Sequence, residues 1–197
     1  AATADLAELV LRDSAQIQAE DVALKRKRHR RERRKPKHPV VPLFTDADVS
    51  RTLRRFEPVE YGRAVSLGDG LEAVFHDAGH ILGSAMIELR TGGGPSGRRL
   101  VFSGDIGQWN KPLVRDPSVF DKADYVVMES TYGNRDHQQN GAIADQLADI
   151  LNATLGNGGN VVIPTFAIER SQELLFHLSS LVFQEKLAAG VPVFLDS

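Results

Sequence analysis

The first sixty residues place hydrophobic side chains at helical spacing between polar positions. Over about residues 4–25 the spacing is typical of one face of an amphipathic helix. The residues on that face are Leu6, Val10 and Ile17. A second, shorter helix is predicted from Thr45, a preferred N-cap residue, to about Phe56. The pattern therefore predicts two helices at the start of the chain.

From about residue 59 the hydrophobic period changes to two, which is typical of strands. Gly68-Asp69-Gly70 predicts a hairpin turn, followed by a strand over residues 71–76 and another over residues 85–90. The residues that share one face of the first of these strands are Leu71, Ala73 and Phe75. The glycine-rich segment 92–97 is predicted as a flexible hairpin connection and not as a phosphate-binding loop, because no helix follows it.

Beyond residue 135 helical and strand-like segments alternate. Helix faces are predicted over residues 143–155 and 174–182, and short apolar strands over residues 160–166 and 191–195. Alternation of this length predicts right-handed βαβ units and a parallel sheet. The sequence therefore predicts an α/β chain in two parts, a hairpin-rich part over residues 1–135 and a βαβ part over residues 136–197.

The composition is that of a globular protein without disulfides. Hydrophobic residues make up 42% of the 197 residues, cysteine is absent, and no apolar run reaches the roughly 18 residues of a membrane span. Absence of cysteine fits a reducing compartment, so we predict a cytoplasmic protein in which any zinc is bound by histidine and carboxylate. The chain begins with alanine and ends on a strand-like run, which we interpret as an internal fragment of a longer protein.

The net charge of −2 conceals a strongly basic run. Residues 25–38 hold ten Lys or Arg and one acid, whereas the rest of the chain carries a net charge of −11. Prolines at positions 36, 39 and 42 predict that residues 25–44 form a linker. The run is either a solvated, mobile loop or an arm that contacts the phosphates of a nucleic acid. The residues predicted to contact substrate there are Lys25, Arg26, Lys27 and Arg28.

Ionisable side chains follow three strand-like segments. They are His80, Asp105 and Glu129, spaced about 25 residues apart. Because strand ends can offer polar groups to a cleft, this spacing predicts that the three side chains meet at one edge of a sheet. Histidine with carboxylate suits zinc. Taken one at a time, the same residues are also compatible with a structural histidine, a turn aspartate and an acid near a helix N-terminus.

The motifs around these residues resemble those of a known nuclease family. The segments are DAGHILGSA (77–85), FSGDIG (102–107), MESTYG (128–133) and PTFAIERSQE (164–173). In this order they are similar to the metallo-β-lactamase-fold nucleases of the β-CASP group, which includes bacterial ribonuclease J and the endonuclease subunit of the pre-mRNA cleavage and polyadenylation machinery. The resemblance implies part of a metallo-β-lactamase αββα sandwich, followed by the start of the β-CASP parallel-sheet α/β domain.

The resemblance also implies roles for individual residues. His80 matches a metal ligand, and Asp105 matches the aspartate that bridges two zinc ions and takes part in catalysis. Glu129 matches a catalytic acid that orients a histidine from the β-CASP part. Arg170 is a candidate contact for the substrate phosphate, although Glu169 stands where the family usually has glycine.

Carried over together, these roles predict a zinc-dependent hydrolase that cleaves RNA. The family's His-x-His-x-Asp-His motif is absent from the sequence, so the chain holds two of the expected metal ligands and is predicted to be inactive alone. His76 and Asp77 could position His80, but a strand end and a turn more readily explain them. Two alternatives stay open, an inactive RNA-binding scaffold and a small-molecule hydrolase. The resemblance implies RNA as the partner and no membrane, and predicts a possible homodimer of the intact parent.

Overall fold

The computed structural model describes residues 2–92, 97–135 and 143–196. The chain divides into two compact units, Ala1–Phe75 and His76–Ser197. The described residues form four helices and five strands, and the strands pair in both antiparallel and parallel fashion. This arrangement confirms the predicted α/β class. None of the described helices, including the 30-residue first helix, is apolar enough along its length to cross a bilayer.

The first unit opens with two helices, α1 (Ala2–Arg31) and α2 (Asp46–Leu53), which pack against each other. Thr45 is the N-cap of α2, as predicted. Its backbone N–H donates to the Asp48 carboxylate at 2.9 Å, while its hydroxyl accepts from the Asp48 N–H, so the two residues form a capping box. Val49 is the buried residue of α2, with 2% of its surface exposed.

The predicted linker over residues 25–44 is wrong at its start. Helix α1 continues six residues past its predicted end, so Lys25, Arg26, Lys27 and Arg28 are helical. Lysine and arginine are good helix formers, and the first proline comes only at position 36, beyond the end of the helix. The residues that we predicted to contact substrate therefore lie along the last turns of a helix.

The first unit also contains a β-hairpin made of β1 (Ala64–Gly68) and β2 (Leu71–Asp77). The two strands are antiparallel, and the predicted turn at Gly68-Asp69-Gly70 joins them. Ala73 and Val74 are both buried, although they point to opposite faces of the strand. The alternating pattern therefore predicted the strand but not the burial of its second face. The last residues of β2 belong to the second unit.

The second unit begins with β3 (Ala85–Thr91), β4 (Arg98–Phe102) and β5 (Tyr125–Val127). Strands β3 and β4 are antiparallel, and the glycine-rich connection between them includes residues 93–96, which lie outside the described residues. Strands β4 and β5 are parallel, with Phe102 opposite Val127. Their carboxyl ends consequently lie side by side. Strand β5 exposes all three of its residues.

The remainder of the second unit contains α3 (Ile143–Gly156) and α4 (Arg170–Phe183). Their contact buries a small apolar core that consists of Ala148, Leu151, Leu181 and Leu187. The predicted strands at Asn160–Phe166 and Val191–Leu195 are irregular segments, because neither has a strand partner among the described residues. The domain boundary predicted after residue 135 adjoins residues 136–142, which are not described, and stays a prediction.

Candidate functional site

The loop that carries His80 is closed at its base by hydrogen bonds. The Asp77 carboxylate accepts from the Gly79 N–H at 2.9 Å, which forms a turn immediately after β2. The Ser84 hydroxyl accepts from the N–H groups of His80 and Ile81, both at 3.2 Å. These bonds fold residues 77–84 into a compact turn that carries His80.

Two glycines allow this loop to touch the loop that carries Asp105. Gly79 has φ +62, and a Cβ there would lie 2.7 Å from the Arg115 carbonyl oxygen. A Cβ on Gly107 would lie 1.6 Å from the Gly79 carbonyl oxygen, so no residue with a side chain fits at this position. The Gly107 N–H donates to the Ala78 carbonyl at 2.8 Å. Backbone contact between the loops therefore determines the separation of their ionisable residues.

A buried serine connects Asp105 to Glu129. Ser103 extends the β4–β5 ladder by donating its N–H to the Val127 carbonyl at 2.9 Å. Its hydroxyl accepts from the Glu129 N–H at 3.0 Å, and only 3% of the residue is exposed. The Glu129 carboxylate in turn accepts from the Ile106 N–H at 2.7 Å. Glu129 is therefore fixed against the loop that carries Asp105.

The structure brings the three predicted site residues together. His80 Nε2 and Asp105 Oδ2 lie 3.8 Å apart, and both side chains are exposed to solvent. The Ile106 N–H lowers the pKa of Glu129, with further lowering by the Thr131 hydroxyl and the charge of His80, while burial opposes the shift. The prediction that strand ends deliver these groups to one edge agrees with their positions, since Asp105 and Glu129 follow two adjacent parallel strands.

His80 and Asp105 fit part of a zinc site. Their donors are an imidazole nitrogen and a carboxylate oxygen, and two ligands of one tetrahedral zinc ion lie about 3.4 Å apart. The observed 3.8 Å is close to that separation. However, the described residues contain no group of three or more His, Cys, Asp or Glu side chains that could hold a metal. The pair alone therefore provides fewer ligands than a zinc site uses.

A cleft of about 510 Å³ extends from His80 and Glu129 to the start of α4. Arg170, the first residue of α4, lines this cleft, and its guanidinium lies 5.8 Å from the centre of the Phe166 ring. Lys111 also lines the cleft and bonds Glu173 at 2.6 Å, with both side chains about one-fifth exposed. This ion pair joins the loop after Asp105 to α4.

Glu169 also lines this cleft, with an unfavourable backbone conformation and a buried carboxylate. Its φ is +69, and 8% of its surface is exposed. Burial raises the pKa of Glu169, whereas the charge of Lys111 and a hydrogen bond from the Leu82 N–H act in the opposite direction. Its Oε1 atom has no hydrogen-bond partner in the described part of the chain.

The other candidate residues have different positions. Arg26 donates two hydrogen bonds to the Val40 carbonyl, and Arg28 bonds Glu32 at 2.8 Å. Both belong to the first unit with Lys25 and Lys27, whereas the cleft lies within the second. His76 does not bond His80, because its Nε2 lies 2.9 Å from the buried Glu88 carboxylate.

Sequence reasoning missed several residues that hold the site. We did not single out Ser103, Lys111 or Glu173 from the sequence. A serine after a strand, or a charged residue of a kind common on surfaces, does not by itself indicate a functional role. The partners Lys111 and Glu173 are 62 positions apart. Gly107, the last residue of the FSGDIG motif, was recognised only as part of the motif and not as a point of backbone contact.

Comparison with known proteins identifies relatives that include ribonucleases. The chain is 40% identical over 156 residues to a ribonuclease of Thermus thermophilus, covering 79% of the chain and 34% of the relative. It is 36% identical over 153 residues to a transcription termination factor of Methanosarcina mazei, covering 75% and 23%. It is 30% identical over 162 residues to an endoribonuclease of Eremothecium gossypii, covering 79% and 20%.

The chain thus spans about one third or less of the length of these relatives. No protein-family model matches it. The ribonucleases among the relatives agree with the family that the four motifs predict.

Proposed function

We propose, from the premise that this chain is related to the β-CASP nucleases, that the protein containing it hydrolyses phosphodiester bonds of RNA with the help of zinc. The observation that supports this most directly is the 3.8 Å approach of His80 Nε2 to Asp105 Oδ2, next to Glu129. Ribonucleases among the relatives support the same reaction. When bound, zinc lowers the pKa of water and neutralises charge on the reacting phosphate.

His80 and Asp105 would hold the metal, with further ligands from outside the pair. A neutral imidazole provides one nitrogen. Asp105 offers two oxygens and can bridge two ions, which is the role that we assign to it. The close contact between Gly79 and Gly107 supports this assignment, because it holds the two ligand loops in a fixed relation before any metal binds.

Glu129 has a separate role in this proposal. Its lowered pKa keeps it ionised at neutral pH, so it accepts hydrogen bonds and does not itself donate a proton. A carboxylate in that state can orient an imidazole and support its protonated form, which suits protonation of the leaving oxygen. Arg170 would contact a phosphate through its planar guanidinium, with the Phe166 ring beneath it.

The two rival functions make different demands on the site. An inactive RNA-binding scaffold would not need the approach of His80 to Asp105, and a small-molecule hydrolase would not need the basic end of α1. We therefore favour RNA hydrolysis over both. A cytoplasmic location fits the absence of cysteine. Self-association of the intact protein belongs to the same proposal and is testable by sedimentation.

Metal content and cleavage, measured on the same preparations of the intact protein, test the proposal. We expect His80→Ala and Asp105→Ala to lose zinc and activity together. Glu129→Gln should keep most of its zinc and yet lose at least about tenfold in single-turnover cleavage of RNA, since general acid–base help is worth about 10²–10⁴-fold.

His177→Ala and Asp121→Ala are the matched controls, because both residues are absent from the cleft lining. Full zinc content and full turnover in His80→Ala or Asp105→Ala would show that the residue is not a ligand. Zinc loss in proportion to activity in Glu129→Gln would make Glu129 a metal ligand instead.

A further inference from the structure

The end of α1 is folded against the segment that follows it. The helix ends in a turn in which the Arg34 N–H donates to the His29 carbonyl at 2.9 Å, and the Arg33 N–H donates to the Arg30 carbonyl at 3.3 Å. This pair of bonds is the Schellman arrangement, and Arg33 has the positive φ of +50 that such a turn requires. The chain therefore reverses direction at a defined residue.

Three hydrogen bonds between two pairs of residues then hold the returning segment against the helix. Arg26 donates to the Val40 carbonyl at 3.0 and 2.8 Å. Further along, the Leu43 N–H donates to the Gln18 side chain at 2.8 Å. Between these anchors and the turn lies a concave surface, which we call the basic hollow. Its charged and polar lining consists of Arg26, His29, Arg30, Arg33, Arg34 and Lys35.

Positive charge in the basic hollow is poorly compensated. No carboxylate lines it, and no side-chain hydrogen bond or ion pair found among the described residues involves Arg30, Arg33 or Lys35. The nearby acid, Glu32, bonds Arg28, and this bond is the main cause of its lowered pKa, with weaker attraction from Arg34 and His29. Cations held together in this way repel one another, so an anion bound between them relieves the repulsion.

His29, one of the residues that line the hollow, has a buried ring nitrogen without a partner among the described residues. His29 Nδ1 is buried and makes no hydrogen bond within the part of the chain that the structure describes. Buried polar atoms are nearly always paired in folded proteins, so an unpaired one calls for an explanation. An anion in the basic hollow would lie beside this ring, because His29 is part of the lining.

We propose that the basic hollow is a binding site for a phosphate group of the RNA backbone. Guanidinium groups match phosphate oxygens in pairs, and arginine is the commonest lining residue here. The proposal rests on the proposed function for its choice of RNA, but not on the metal site or on cleavage. It differs from a general electrostatic attraction between RNA and residues 25–38, because it assigns the phosphate contact to one face of the C-terminal end of α1.

Two variants that remove the same charge separate these possibilities. The hollow variant is Arg30→Gln, Arg33→Gly and Arg34→Gln, in which glycine suits the positive φ and preserves the turn. The control variant is Lys25→Gln, Lys27→Gln and Arg31→Gln, whose side chains are exposed and lie outside the basic hollow. Circular dichroism melts confirm that both variants fold.

Binding is measured by fluorescence anisotropy with single-stranded RNA in EDTA, so that cleavage plays no part. The hollow variant should lose about tenfold more affinity than the control, since charge-assisted contacts to phosphate are lost only there. Its log–log salt slope should fall by about 0.7 for each phosphate contact removed. Equal losses in the two variants would overturn the site.

A second measurement follows His29 directly. Pyrophosphate added to the isotope-labelled wild-type protein should shift the His29 ring signals in the NMR spectrum and compete with RNA, whereas the hollow variant should show neither effect. Comparing RNA with and without a 5′-phosphate distinguishes a terminal phosphate from an internal one. Unchanged His29 signals, or tighter binding of polyglutamate than of RNA, would overturn the proposal. If the intact protein binds RNA as expected but never cleaves it in the presence of zinc, the proposed function fails while this site stands.

Discussion

At the scale of single residues, Glu169 combines a backbone conformation that is unfavourable for a non-glycine residue with a buried carboxylate. The backbone of Glu169 has a φ of +69, in a conformation that costs an ordinary residue about 1–2 kcal/mol and costs glycine almost nothing. Its carboxylate is also buried, with one oxygen unpaired among the described residues. Glycine at this position would remove both problems.

We therefore expect Glu169→Gly to increase the free energy of unfolding by about 1 kcal/mol, as the relief of strain and burial exceeds the added flexibility of the unfolded chain. Glu169→Gln is the matched control, because it removes the charge but keeps the strained backbone and an acceptor for the Leu82 N–H. Urea unfolding of the chain measures both. A less stable glycine variant would show that the bond to Leu82 outweighs the strain.

The pH dependence of the same variants follows from the raised pKa of Glu169. The folded protein holds its proton more tightly than the unfolded chain, whose value is 4.5. Stability of the wild type therefore falls as pH rises from 4.5 through the folded pKa. Glu169→Gln removes the buried charge and should therefore be more stable than the wild type at neutral pH. This difference in the free energy of unfolding should shrink as pH falls towards 4.5. An advantage that is constant with pH would contradict this reasoning.

On the scale of elements, the contact between the two ligand loops is the feature that the site depends on. A Cβ at Gly107 would lie 1.6 Å from the Gly79 carbonyl oxygen and 2.0 Å from its carbonyl carbon, so the backbone itself would have to move. The Gly107 N–H bond to Ala78 would be lost with that movement. This makes Gly107 a structural requirement, independent of any role in chemistry.

Gly107→Ala should lower the free energy of unfolding by at least about 3 kcal/mol, because the clash is with backbone and no side-chain rotation relieves it. Gly156→Ala is the control, since nothing lies within 4 Å of a Cβ there. Urea unfolding compares the two variants. If Gly107→Ala were as stable as the control, the loops would not be in the contact that brings His80 to Asp105.

At the scale of helices, strands and loops, some features could be predicted from the sequence and others could not. The hairpin at Gly68-Asp69-Gly70, the cap at Thr45 and the positions of His80, Asp105 and Glu129 follow from local signals. The strands predicted at residues 160–166 and 191–195 did not form, since apolar content predicts extended chain but not a partner to pair with. The bonds made by Ser103 and Lys111 join distant segments, so no local pattern could predict them.

On the scale of the whole molecule, the described residues of this 197-residue chain provide only part of a metal site. Two predicted ligands converge in the second unit, and the described residues hold no cluster of three His, Cys, Asp or Glu side chains. Structural and catalytic zinc sites use three or four protein ligands. The basic hollow lies in the other unit, so RNA binding and metal binding can be measured independently on the same chain.

The chain on its own should therefore bind zinc only weakly. Calorimetric titration of residues 1–197 should show a shallow, unsaturated curve, because two ligands leave most of the coordination sphere to water. His80→Ala should reduce even this signal, whereas His177→Ala should leave it unchanged. Tight one-to-one binding that His80→Ala abolishes and His177→Ala retains would mean that the chain already contains a complete site, with ligands beyond the pair that the structure brings together.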